Sequence, residues 1–503
     1  MVSVILKHEQ RTLVEAIAIC RVGQSFWGPF RRWKVIVDSR TGERTLACDC
    51  IQVMQVLANA SKVGSLVYEI AHDFKTGMGC GVSSLISFTK ILCEEAHTLL
   101  GTGDVSASDI SHGFQLASQV CVDTLSDPSI NSFCGMVSAT DINVKLVRHG
   151  HRKNVAETAF QVSKLLQRCN SDDFGAVMLH SFPVPPFNRC QASDGSICLI
   201  DGVILPIQLH SWIRKLTNKK SSYSVFKVGL LKNNIGCDVF TRGGALSEKF
   251  QEVSILGTVG LLETSKLDPV EMIVGKIYKT GLNLVVVSGS VHENIQRVCA
   301  QKYDILVVEW AHMRELEALS RHFMISIYTD FSQLLEDAEV NTAVSHTFTE
   351  MIALDRASNK CLLRIQTSLK RPNNTFQLDP ITVLVTSGIE STLTEIETSF
   401  WSCLHRLFYM SQIKMMVVGA GSCEKLLAKQ VLEQIQAGQS RSSQVEIAMR
   451  SFASALLKIG DEASNFGLID STVDTIVYDD IKSKRGWLAQ APTVLHRLLH
   501  LSS

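Results

Sequence analysis

Apolar residues recur at helical spacing over most of the first hundred positions, and the pattern breaks once. From Val14 to about Leu100 it predicts helices, among them Val63 to Phe74 and Leu85 to Leu100. The break runs Lys34-Val35-Ile36-Val37-Asp38, a polar turn at Ser39 to Glu43, then Arg44-Thr45-Leu46-Ala47-Cys48. Its alternation predicts a β-hairpin. Ahead of it, Phe26-Trp27-Gly28-Pro29 is a Gly-Pro breaker that ends the first helix. Asp104 to Ser118 and Val155 to Arg168 read as further amphipathic helices.

Past Asp173 the period changes. β-rich runs occur at Ser196 to Leu205, Val225 to Leu231, Leu282 to Val287, Asp304 to Glu309 and Met324 to Tyr328. Helical stretches at Pro269 to Thr280, His292 to Gln301 and Met313 to His322 separate the later ones, which predicts an α/β lobe with a partly parallel sheet. Glu336 to Lys360 is polar and strand-like, and Ile381 to Thr386 reads as another strand. Helices return at Glu390 to Tyr409, Ser422 to Gln436, Ser443 to Ile459 and Ala489 to Leu501. The order is nearly palindromic: a helical base, an outer lobe, and a return to the base.

Composition narrows the class. Hydrophobic content of 46% with only 10 prolines favours packed globular structure over disorder. Lysine plus arginine equals aspartate plus glutamate at 49 each, so nothing in the charge favours nucleic acid or an anionic membrane. The fifteen cysteines are scattered, the N-terminus lacks a signal-peptide core, and no apolar run is long enough to span a bilayer. These features predict a reducing, cytoplasmic setting with most cysteines acting as small buried side chains.

The stretch with the clearest chemical potential is Thr76-Gly77-Met78-Gly79-Cys80-Gly81-Val82-Ser83-Ser84. Alternating glycines let backbone approach a phosphate, and a helix opening at Ser83 or Ser84 would aim free N–H groups at an anion. Between two of those glycines stands Cys80, a poor magnesium ligand.

Several stretches, in order along nearly the whole chain, resemble group II chaperonins. Phe26-Trp27-Gly28-Pro29 through Lys34 is similar to the family's phosphate loop, with Arg31 replacing its second glycine. Cys48-Asp49-Cys50 falls where the family has Asn-Asp-Gly, and Gly79-Cys80-Gly81-Val82-Ser83-Ser84 where it has Gly-Asp-Gly-Thr-Thr-Ser. Leu199 to Leu205, Gly281 to Val286 and Val418-Gly419-Ala420-Gly421-Ser422-Cys423-Glu424 match further family motifs. A narrower resemblance, to the divergent chaperonin-like Bardet-Biedl syndrome proteins and among them the Bardet-Biedl syndrome 12 family, rests on three stretches. They are Gly23 to Pro29 with Lys34 to Asp38, Phe400 to Cys403 with Arg406 to Tyr409, and Val477-Tyr478-Asp479 with Lys484, Trp487, Ala491 and Val494-Leu495.

The resemblance implies an α+β, multi-domain, group II chaperonin-like subunit. Its equatorial domain would comprise residues 1–145 and 396–503, its intermediate domain 146–195 and 336–395, and its apical domain 196–335. It implies assistance in assembling the ciliary complex called the BBSome. Partners would be other chaperonin-like Bardet-Biedl syndrome proteins, cytosolic chaperonin subunits, and BBSome subunits as clients. The location would be the cytoplasm, centrosome or basal body, and cilium base. The implied nucleotide site is Gly28, Pro29, Asp49, Gly79, Cys80, Gly81, Ser83, Ser84, Gly419 and Gly421. Of the family's three catalytic aspartates, one becomes Cys80, one becomes Ser402, and Asp49 survives. With two of three carboxylates gone, the expectation is no ATP hydrolysis and no required cofactor, with weak ATP binding left open.

Three other readings compete. An active ATP-dependent chaperonin would keep the same fold. Lys414 to Ser422, an apolar strand entering Gly-x-Gly, resembles the start of a dinucleotide fold but has Glu424 at the third glycine. Cys48 and Cys50 with His149 and His151 would be a metal set, against which buried cysteines and a solvated His turn are the simpler account. The basic stretches Lys215 to Lys220 and Arg371 to Asn374 read as solvated loops.

Overall fold

The structure is a computed structural model that describes residues 8–28, 33–37, 41–126, 134–136, 153–168, 177–183, 196–208, 224–235, 269–323, 325–337, 344–355, 360–367, 381–413, 415–437, 442–467 and 478–501. Pro29, Arg31, His149, His151, Lys215 to Lys220 and Arg371 to Asn374 lie outside the described residues. The chain divides into two compact units. The first contains Met1–Gln167, Ala192–Ile197 and Ile389–Ser503, and the second Arg168–Gln191 and Cys198–Gly388. Both ends of the chain thus fold into one unit around the excursion of its middle.

The first unit is helical. It contains α1 (His8–Gln24), α2 (Cys50–Ala58), α3 (Lys62–Met78), α4 (Val82–Thr102), α5 (Ala107–Thr124) and α6 (Lys153–Arg168, of which the last residue belongs to the second unit). At the heart of it lies α4, whose stretch from Leu85 to Cys93 is buried throughout, polar Ser87, Thr89 and Lys90 included. A helix apolar on every side is surrounded by other helices. Here these are α1, α3 and α5, with α11 (Glu390–Ile413), α12 (Ser422–Gln436), α13 (Ser443–Gly467) and α14 (Ile481–Leu499) completing the unit. Phe88 sets its ring edge-on to Phe452 and Trp487, with centroids 5.5 and 5.1 Å away, and Phe114 meets Phe452 at 5.7 Å. Each such buried ring stabilises the fold by roughly 2 kcal/mol.

The predicted hairpin is present as β1 (Lys34–Val37) paired antiparallel with β2 (Arg44–Ala47). Cys48 and Cys50, however, lie past the end of β2. Asp49 is the N-cap of α2 and Cys50 its first residue, so both thiols leave the hairpin and are buried. The last helix begins at Ile481, eight residues before the spacing suggests, because Asp480 caps it by accepting from the Ser483 N–H and hydroxyl.

In the second unit a sheet runs in the order β6 (Val203–Gln208), β12 (Lys360–Thr367), β11 (Val344–Asp355), β7 (Ser224–Leu231), β8 (Leu284–Val287) and β9 (Leu306–Val308), with β10 (Ile327–Tyr328) also on β7. The predicted run Ser196 to Leu205 is split by Gly202, at a φ of 102°. The split leaves β5 (Ser196–Asp201) and β6. The polar stretch before Lys360 contributes β11, which turns back as β12. β7 changes partners midway. Its first half pairs antiparallel with β11, and its second half pairs parallel with β8 and β10. Both β8 and β9 are buried on each face, which is why they read as unbroken Leu-Val runs. α7 (Pro269–Lys279), α8 (Glu293–Lys302) and α10 (Phe331–Asp337) cover one face through Val274, Ile277, Ile295 and Leu334; α9 (Met313–Phe323) covers the other through Leu316 and Leu319. β4 (Val177–Pro183) pairs parallel with β13 (Ile381–Ser387) in a separate sheet. No described helix is long and apolar enough to cross a membrane.

Candidate nucleotide site

The glycine-rich stretch makes a tight link between two helices, shorter than its sequence suggests. Gly77 still belongs to α3, and a Cβ there would meet nothing within 4 Å. Gly79 ends α3 in the left-handed conformation at φ 68°, its N–H donating to the Lys75 carbonyl at 2.7 Å. Gly81, at φ 83°, is the N-cap of α4, which opens at Val82. Two left-handed residues around one cysteine explain both glycines without any ligand.

Three other elements close on that link. From α11, the His405 ring fills the space above Gly79, where a Cβ would come within 2.4 Å of Cγ and Cδ2. From the first turn of α14, Ser483 stands 3.4 Å from the position of a Gly81 Cβ. Cys80, only 2% exposed, lies within hydrogen-bonding reach of the Ser483 hydroxyl and the Arg406 guanidinium. Burial, with the Asp480 charge adding to it, pushes its thiol up to about 12, so Cys80 stays protonated at neutral pH.

Arg406 is the cation of this cluster. Burial opposes its charge, but Cys80, Asp480 and Asp479 outweigh that and hold its pKa above the ordinary value. Its Nε is fully enclosed and makes no hydrogen bond. Ser402 is buried one helical turn earlier on the same face of α11. His405 Nδ1–H donates to the Trp401 carbonyl, 2.7 Å away. Burial lowers its pKa, and Lys75 and Lys482 lower it further, so the ring stays neutral. The Tyr409 hydroxyl donates to the Met78 carbonyl at 3.0 Å, tying α11 to the turn of α3 that precedes Gly79.

Asp49, the surviving carboxylate, is engaged elsewhere. Its Oδ2 lies 3.5 Å from Lys75 Nζ, while Gln52 Oε1 accepts from the Cys48 and Asp49 N–H groups. Behind the cluster, Lys484 Nζ pairs with Glu424 Oε1 at 2.8 Å and Asp479 Oδ2 at 2.9 Å. Burial opposes the Lys484 charge, yet the two carboxylates raise its pKa well above the usual lysine range.

The remaining sequence-predicted residues separate from this cluster or remain solvent-facing. Ser83 and Ser84 are partly exposed in the first turn of α4. Gly28, at φ 85°, lies in the bend past the end of α1. Gly421 caps α12 at φ 83°, and a Cβ there would stand 1.9 Å from the Gly460 carbonyl and 2.9 Å from Ser464 Oγ on α13. Gly419 precedes it in the turn after β14 (Met415–Val418). The α12 N-terminus is therefore roofed by protein. β14 pairs antiparallel with both β15 (Tyr478–Asp480) and β3 (Cys134–Met136), so no parallel β-α-β unit exists there. The dinucleotide reading fails on both counts. Arg406, His405, Asp480, Ser483 and Lys75 were not predicted as site residues. One signal for Arg406 was available: it stands four residues after Ser402, hence on the same helix face.

The family model of TCP-1/cpn60 chaperonins matches residues 19–473. The chain belongs to the TCP-1/cpn60 chaperonin family. Comparison with curated proteins returned no match. Members of such a family are expected to hold magnesium and ATP, and the side chains here do not fit that group. The Cys80 thiol is protonated, the Ser402 hydroxyl is neutral, and the one carboxylate, Asp49, is paired with Lys75, so the set lacks the free carboxylates that hold magnesium. Among the described residues no cluster of three His, Cys, Asp or Glu side chains could hold a metal.

Proposed function

We propose that this chain is a chaperonin-family subunit that assists assembly of a protein complex without hydrolysing ATP itself. The observation that carries the reading is the Cys80 cluster. Where phosphoryl transfer requires carboxylates aimed at a metal and a water, this chain presents a neutral thiol beside the Arg406 cation. The sequence resemblance to the Bardet-Biedl syndrome 12 branch supports a finer version. In that version the subunit works with other chaperonin-like Bardet-Biedl syndrome proteins and the cytosolic chaperonin on BBSome subunits, at the cilium base. The equatorial, intermediate and apical division belongs to the same proposal and makes a finer cut than the two units described above.

The test has two arms. Purified chain is assayed for magnesium-dependent phosphate release, and the tagged chain is recovered from ciliated cells for mass spectrometry. Absence of turnover together with recovery of chaperonin-like partners and ciliary coat subunits is the expected result. Turnover that is lost on Asp49→Ala would overturn the non-hydrolysing reading and leave an active chaperonin.

A further inference from the structure

Two helix N-termini meet at Cys80, those of α4 and α14, where Ser483 packs on Gly81; that of α12 is linked to α14 behind them by the Glu424–Lys484 pair. Such ends attract an anion. Here the anions are internal: Asp480 caps α14 with bonds of 2.7 and 2.6 Å, and Glu424 lies in the first turn of α12. A phosphate cradle also needs the open faces of its glycines. The His405 ring fills that of Gly79, Ser483 stands over that of Gly81, and the Gly79 N–H is already bonded to Lys75. Arg406 sits within reach of Cys80, where it supplies fixed positive charge.

We propose that α11 carries a built-in plug, His405 and Arg406, which holds the Gly79–Gly81 link closed to a nucleotide phosphate chain. This inference rests on the non-hydrolysing reading and adds a cause to it. Exclusion comes from side chains occupying the cradle as well as from the loss of metal ligands. The plug is anchored at two further points. The Trp401 carbonyl holds His405 Nδ1, and Tyr409 reaches back to Met78. Removing the His405 ring uncovers backbone that is already bent for close approach, and removing Arg406 clears buried space beside Cys80.

The test uses the full chain in three forms: wild type, His405→Ala, and Arg406→Met combined with Asp480→Asn. The paired change avoids leaving a buried aspartate uncompensated, and asparagine still caps a helix. Binding of a fluorescent ATP analogue is titrated with and without magnesium, phosphate release is followed in parallel, and circular dichroism melting verifies folding. Wild type is expected to show no saturable binding up to about 1 mM, and the opened forms to bind at least about tenfold more tightly, with or without magnesium. Saturable binding by wild type overturns the plug while leaving the non-hydrolysing reading intact. Folded variants that stay blind to the analogue also overturn it. Phosphate release by wild type overturns the functional reading itself. Should the paired variant fail to melt cooperatively, the His405→Ala chain alone decides.

Discussion

The His405 ring occupies the space where a side chain at Gly79 would stand, its nearest atoms 2.4 Å from the ideal Cβ position. This contact makes Gly79 irreplaceable for two separate reasons, since its φ of 68° is also one that side chains disfavour. Gly79→Ala should therefore cost the left-handed penalty of roughly 1 to 2 kcal/mol and displace His405 as well. Gly77→Ala, two residues earlier in α3 with nothing within 4 Å, should be neutral or stabilising by up to about 1 kcal/mol. Thermal melts of the two variants check this. A Gly79→Ala cost no larger than the left-handed penalty would mean that the His405 contact carries no weight.

Restoring the family's aspartate should not restore its metal. In Cys80→Asp the new carboxylate would face Arg406, which already feels Cys80, Asp480 and Asp479. An adjacent arginine favours the ionised carboxylate and competes with a divalent cation for it. Burial and the Asp480 charge oppose a second carboxylate at this position, so the expected outcome is lowered stability and no manganese binding by paramagnetic resonance. Stoichiometric manganese binding by the single variant would show that Arg406 does not neutralise the site.

Gly421 predicts a packing failure with no bearing on nucleotide. A methyl there would lie 1.9 Å from the Gly460 carbonyl, a backbone atom that moves only with α13. Overpacking of this kind, added to a φ of 83°, should destabilise Gly421→Ala by roughly 3 kcal/mol or more. Urea denaturation measures it directly. If the midpoint hardly moves, the α12–α13 approach is looser than these distances say.

Fold class was legible because periodicity survives where single residues do not. The buried Leu85–Cys93 stretch of α4 and the β8 and β9 strands announce themselves as apolar runs, and the glycine turns stand out in any local reading. What the sequence could not show was which side chains meet those turns. Arg406 and His405 lie more than three hundred positions from Cys80 and Gly79, and a mid-helix arginine ordinarily reads as a solvated residue. Similarly, the start of α14 is hidden by its composition. Lys482, Lys484 and Arg485 are unfavourable near a helix N-terminus, and the Asp480 cap, the Lys484 pairs with Glu424 and Asp479, and the Tyr409 ring under Lys482 compensate. Long-range electrostatic compensation of this kind has no local signature.

The second unit holds a pair whose titrations oppose each other. His180 Nδ1 on β4 lies 3.6 Å from Glu315 Oε1 on α9, while Glu315 Oε2 accepts from the His312 N–H at 2.8 Å. Burial, helped by His312, lowers the His180 pKa to about 4. Burial raises that of Glu315 to about 7 against the weaker effect of its bond from His312. Between those values both side chains are neutral, so the contact is not an ion pair. From about pH 4.5 to 7 the folded state holds a Glu315 proton that the unfolded chain has lost, and stability falls as pH rises. From about pH 4 to 6.5 the unfolded chain holds a His180 proton that the folded state lacks, and stability rises with pH. The two trends cancel where they overlap, and wild-type stability should be nearly flat there. His180→Gln should expose the Glu315 trend, with stability declining towards neutral pH by roughly 3 kcal/mol at most. Glu315→Gln should expose the His180 trend, with stability climbing over the more acidic window. Urea midpoints across a pH series measure both slopes, and slopes of the same sign in the two variants would sink this assignment.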